Sequence, residues 1–434
     1  MVLVWAIFFI EVFVLTLLKP LITDFESATL YLIAFNVIFV FISFIKYRKG
    51  IRELLFAAFV LRLLTMFWDV YARNIYLLPH SGNDSEGFLI SASHISNDLS
   101  LLKTDMYGGL YTKALGVLFY ITEPERLLGQ YINVLLGVSI IVFLYKILSL
   151  LEINKKTKEL SITLLCFFPQ AIIFSGILLR ENIISFLVVI SFYFFIKWYK
   201  YGKKFNGPLS IIFLAIASIF HSGVIGILVG YIFMFMFSKQ GENKLTFNRN
   251  TIVIFFLFTF ASLFSYTQLN EFLFSKFNSI QEVNDLYDSV NDRIGSSTYL
   301  VGLNVDSIWK LIFFSPIKMF YFLTSPLPMD WRGLSDIISF FLDGLIYLGI
   351  MMYCAFHINK WKKGHPLIIG VLVMLLAVVF IFGMGVANAG TAIRHRHKIY
   401  PIIIIIFALV NHSKKSRLQS KEIKEKGEKS VIDI

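Results

Sequence analysis

Two carboxylates, Asp84 and Glu86, lie in the stretch Ser81-Gly82-Asn83-Asp84-Ser85-Glu86-Gly87, which strongly apolar sequence surrounds. A carboxylate that approaches a substrate closely serves as a general base or holds a divalent cation such as Mg2+ or Mn2+, and Gly82 and Gly87 permit that approach in a short loop. Cations recur elsewhere, at Arg180, Arg332, Arg394, Arg396 and Lys398. Guanidinium groups bind phosphate through paired hydrogen bonds, so these residues are candidate ligands for phosphate or pyrophosphate. His221, in the polar break His221-Ser222-Gly223, is a candidate proton shuttle, and His395 and His397 extend the same late cluster. Glu181 belongs to the site or forms an ordinary helix-end ion pair with Arg180. Asp285, Asp288 and Asp292 read as a solvated helix face.

The elements that must position these residues are apolar. The 434 residues are 57% hydrophobic and only 16% charged, below the quarter or so that a soluble protein carries. Apolar runs bounded by polar linkers point to an all-α, polytopic transmembrane helical bundle. The alternation of a membrane barrel is missing. The net charge of +12 does not imply nucleic acid, because Lys and Arg collect between apolar runs and in the tail. Cys166 and Cys354 fall inside apolar runs and give no disulfide or metal signature. Met1–Leu18 has no basic leader and reads as an uncleaved first span.

Basic linkers such as Lys46 to Arg52, Asn154 to Lys158 and Lys197 to Lys204 assign the cytoplasmic side and place both termini there. Residues 1–411 then form a transmembrane domain of about 11–12 spans. Residues 68–126 form a first outer loop. A second, at 267–334, holds a re-entrant or broken segment at Leu311–Pro328, and 412–434 form a basic cytoplasmic tail. Pro169 kinks the Leu160–Leu179 span, and neighbouring helices must satisfy the freed backbone groups. Asp84, Glu86, Arg180, Glu181, His221, Asp330, Arg332 and Arg394 to Lys398 fall on the outer face. Ionisable groups at span ends are functional candidates by default. Walker, Rossmann and HExxH patterns do not occur.

The order of Asp84-Ser85-Glu86, the Tyr111–Asn133 stretch and a Pro-containing span ending in Leu178-Leu179-Arg180-Glu181 resembles the GT-C superfamily of polytopic glycosyltransferases. The resemblance implies a GT-C-like fold in the cytoplasmic (inner) membrane of a bacterium. It also implies a polyprenyl-phosphate or polyprenyl-pyrophosphate sugar donor and outer-face transfer in surface-polysaccharide assembly, alongside other assembly proteins. By the family pattern Asp84 matches the catalytic acid, with Glu86 second, and the Arg394–His397 cluster fits a lipid-phosphate site. The break at His221-Ser222-Gly223 and the basic late segment also resemble O-antigen or capsule polymerases, which join lipid-linked repeat units. A flippase or transporter of the same lipids is a further alternative. It needs a central polar pathway, whereas the charges here gather near one face.

Overall fold

The computed structural model describes residues 1–238, 245–247, 251–252, 297–358 and 366–412. All but the first two residues of the expected span Thr251–Tyr266, the aspartates 285, 288 and 292 and the tail from residue 413 lie outside the described residues. Among the described residues the chain is helical and contains no strand.

Among the described residues, seven helices are long and apolar enough to cross a membrane: Val2–Leu21, Phe25–Ile45, Lys49–Tyr71, Arg126–Leu150, Glu181–Tyr201, Leu334–His357 and Pro366–Gly385. An eighth crossing results if Lys155–Cys166 and Pro169–Gly176, bent by 48° at their break, act as one span. The apolar helices Leu110–Ile121, Asn206–Phe220, Ser222–Phe237 and Tyr400–His412 are shorter. The expectation of about 11–12 crossings treats such pieces as full spans. The chain divides into two compact units.

The first unit comprises Met1–Leu144, Ile162–Ile190 and Ile216–His221. Its elements are α1 (Val2–Leu18), α2 (Phe25–Ile45), α3 (Lys49–Tyr71), α4 (Asn83–Asn97), α5 (Leu110–Ile121) and α8 (Pro169–Gly176). Parts of α6 (Arg126–Leu150), α7 (Lys155–Cys166) and α9 (Glu181–Tyr201) complete it. Asp24 starts α2 by accepting the Ser27 amide at 3.2 Å. Phe9, Ile10 and Phe13 on α1, and Tyr31, Phe35 and Ile38 on α2, remain exposed, as a lipid-facing surface requires.

The stretch 68–126 is mostly helical. Phe88, Ala92 and Ile95 are buried along one face of α4, which packs against α5. Asp84 and Glu86 therefore stand in the first turn of a helix and not in a glycine-bracketed loop. Carboxylates there complement the helix macrodipole. Gly87 sits inside α4 because a Cβ at that position would come within 2.5 Å of the Tyr107 ring.

The second unit comprises Tyr145–Ser161, Ser191–Ala215 and Ser222–Ile434. Its main elements are α11 (Ile227–Phe237), α12 (Ile308–Thr324), α13 (Leu334–His357), α14 (Pro366–Gly385), α15 (Ala389–His397) and α16 (Tyr400–His412). α10 (Asn206–Phe220) is shared by the two units. The polar break after α10 is a short 3-10 turn, Ser222–Gly226. The segment expected to be re-entrant or broken, Leu311–Pro328, is unbroken helix as far as Thr324, with Pro316 inside it. Pro316 strips the Ile312 carbonyl of its helical partner, and the Ser315 hydroxyl donates to that carbonyl at 2.9 Å. A π turn, Phe340–Gly344, interrupts α13 and carries Asp343.

Candidate functional site

The first unit gathers ionisable side chains around the start of α4. Glu86 accepts from Arg73 and Arg126 through the same carboxylate oxygen, with Arg73 Nη1 at 2.5 Å. Burial raises the Glu86 pKa, but the hydrogen bonds and charges of Arg126 and Arg73 together outweigh it and hold the carboxyl below its usual value. Arg73 also donates to the Ser81 carbonyl at 2.8 Å. Arg126 lies 3.5 Å from Asp69, which is fully buried at the end of α3. Asp69 accepts from the Ser81 hydroxyl and, at 2.6 Å, from Gln130.

Asp84, two residues earlier, has a different environment. Tyr107 donates to its carboxylate, and the phenol packs against Phe88 with ring centroids 5.4 Å apart. Burial raises the Tyr107 pKa; Arg180 opposes the rise and Glu181 adds to it. Arg180 also lies against this aromatic step, 5.9 Å from the Phe88 centroid, and its Nε is buried without a hydrogen-bond partner. The chain from Asp84 through Tyr107 and Phe88 thus ends on a guanidinium.

Arg180 comes from a non-helical link between α8 and α9. Asn133 fixes that link by donating to the Ile177 and Leu179 carbonyls at 2.7 and 2.9 Å. Asn182 holds the other side, donating to the carbonyls of Asn133 and Phe174 and to the Ser175 hydroxyl at 3.1–3.2 Å. Glu181, the first residue of α9, is fully buried. His221 is half-buried at the end of α10.

In the second unit the late basic run is not a loop. Arg394, His395, Arg396 and His397 form the last turn of α15, and Lys398 is its C-cap. Cations there complement the negative end of the helix. Arg396 is fully buried, pairs with Asp343 at 2.5 Å, and donates to the Phe322 and Ser325 carbonyls at 2.9 and 2.7 Å. His397 and Lys398 are buried as well. Of the expected phosphate ligands, Arg396 is thus committed to protein groups, and Arg394 and His395 are the less buried members of the run. Burial pushes the Arg394 pKa down to about 10, which leaves it charged at neutral pH. Arg332 is exposed and donates to the Thr298 carbonyl. Burial raises the Asp330 carboxyl, with Arg332 opposing.

The second unit also contains an apolar cavity of about 600 Å³, lined by Pro316, Phe320, Met351, Cys354, Leu376 and Ile406 among others. Its one phenol, Tyr347, carries the Arg396 guanidinium over its ring at 5.6 Å.

Two guanidiniums hold one Glu86 oxygen, and their charge opposes a divalent cation beside it. Among the described residues, no three His, Cys, Asp or Glu side chains converge as a metal-ligand group.

Asp69, Arg73, Tyr107, Arg126 and Asn133 were missed from sequence. The available signal was position: Asp69 and Arg126 are charges at the very ends of apolar helices, where an unpartnered ion is expensive. Compared with protein-family models, with curated proteins and with solved structures, the chain gives no match in any of the three.

Proposed function

We propose that this chain is a glycosyltransferase of surface-polysaccharide assembly. It moves a sugar from a polyprenyl-(pyro)phosphate donor to an acceptor hydroxyl at the outer face of the cytoplasmic membrane. The observation that carries the reading is the split between two carboxylates on one helical turn. Glu86 is locked between two arginines, while Asp84 is half-buried and bonded to a phenol beside Arg180. Carboxylates whose environments differ in this way take different roles.

Asp84 accepts the proton of the acceptor hydroxyl as its oxygen attacks the anomeric carbon. The bond between that carbon and the phosphate oxygen breaks, and the phosphate leaves with the electron pair. Arg180 stabilises the growing negative charge. Tyr107 orients Asp84. Joining of whole repeat units, as in a polymerase, uses the same chemistry with a longer donor. Replacing Asp84 by Asn in cells tests the reading through the lipid-linked intermediates that accumulate.

A further inference from the structure

We propose that Arg73 and Arg126 form an oxyanion clamp in which Glu86 is an internal occupant, displaced when a phosphate or pyrophosphate enters. The proposal rests on the transferase reading for the identity of the anion, but not for the clamp itself.

Both guanidiniums converge on one oxygen of Glu86. The two guanidiniums carry more N–H donors than the single Glu86 oxygen and the buried Asp69 beside Arg126 take up, and a pyrophosphate supplies further acceptor oxygens. The side-chain exposures are 21% and 39% for Arg73 and Glu86 and 13% for Arg126. The carboxylate is therefore the most exposed of the three and the arginines are the fixed part.

Each arginine has an anchor that survives the departure of Glu86. Arg73 holds the Ser81 carbonyl, and Arg126 borders the buried Asp69. The Arg126 Nη1 that faces Asp69 at 3.5 Å makes no hydrogen bond to it. The start of α4 adds to the site, because its N-cap, Gly82, offers no side-chain cap. Amides of an uncapped helix start favour an anion. Glu86 stays ionised at neutral pH, so exchange proceeds anion for anion and not by protonation.

The test is calorimetric titration of inorganic pyrophosphate into the purified full-length protein in lipid nanodiscs at low salt. Glu86→Gln removes the competing charge and binds pyrophosphate roughly tenfold more tightly than wild type, the scale of one charge-assisted hydrogen bond. Arg73→Gln and Arg126→Gln each weaken binding roughly tenfold or more. Glu86→Asp, one methylene too short to reach both arginines, shifts binding in the same direction by less and substitutes if the Gln variant does not fold. Unchanged or weaker binding in both Glu86 variants overturns the clamp, because a merely structural ion pair predicts that result. Sugar transfer is measured separately. Tightening without any transfer activity sinks the transferase reading and leaves the clamp.

Discussion

Arg62 donates to the carbonyl of Cys166 at 3.2 Å from the middle of α3, and it also reaches the Leu165 carbonyl at 3.5 Å. Those carbonyls are exposed by the break before Pro169, whose ring removes the amide that would bond Leu165. A fully buried guanidinium thus replaces the missing helical bonds within an apolar span. Arg62→Met should cost about 1–3 kcal/mol for each carbonyl left bare. Adding Pro169→Ala should recover part of the loss, since the helix amide returns. Thermal unfolding of the single and double variants in detergent checks both outcomes.

The Asp343–Arg396 pair should behave as a buried pair. Asp343→Asn leaves an uncompensated charge beside Tyr347 and should destabilise the protein by about 3–5 kcal/mol. An Asp343→Leu/Arg396→Leu double variant should lose less. Arg394→Ala, at a less buried position, should leave the unfolding temperature nearly unchanged.

Glu125 gives a pH dependence. Burial raises its pKa from 4.5 to about 7, with the Thr29 hydrogen bond opposing and Glu26, Asp24 and Glu123 adding to the rise. The folded state therefore binds its proton more tightly than the unfolded state. The stabilisation is full below about pH 4.5 and is lost as pH climbs through about 7. Glu125→Gln should raise the unfolding temperature at pH 8 relative to wild type. The difference should vanish near pH 4, a comparison that differential scanning at several pH values makes directly.

Gly87 should tolerate no side chain. A Cβ would press into the Tyr107 ring at 2.5 Å and push the phenol off Asp84. Gly87→Val should lower transfer more than Tyr107→Phe, which removes one hydrogen bond and keeps the ring. Initial rates of the two variants, normalised to folded protein, decide the order.

The helical, membrane-type architecture was legible because apolar runs of helix length need no knowledge of contacts. The break at His221-Ser222-Gly223 was legible for the same reason. The form of the site was not. Gly82 and Gly87 read as loop punctuation, yet Gly87 is helical because Tyr107, from beyond the end of α4, needs the space. The run Arg394 to Lys398 reads as a cluster of phosphate ligands, yet Arg396 is buried against Asp343 of another helix, which neutralises it. Pro316 reads as a break, yet Ser315 supplies the bond it removes. In each case the deciding partner is set by packing or by local hydrogen-bond geometry, and residue type alone does not reveal it.

The central claim is that Asp84 performs outer-face transfer. The direct measurement is the lipid-linked intermediates and polysaccharide of cells carrying Asp84→Asn, beside a null strain and wild type. The account predicts that the variant protein is present in the membrane at wild-type level, that polymer is lost as in the null, and that lipid-linked precursor accumulates on the outer face. Wild-type polymer from Asp84→Asn contradicts it.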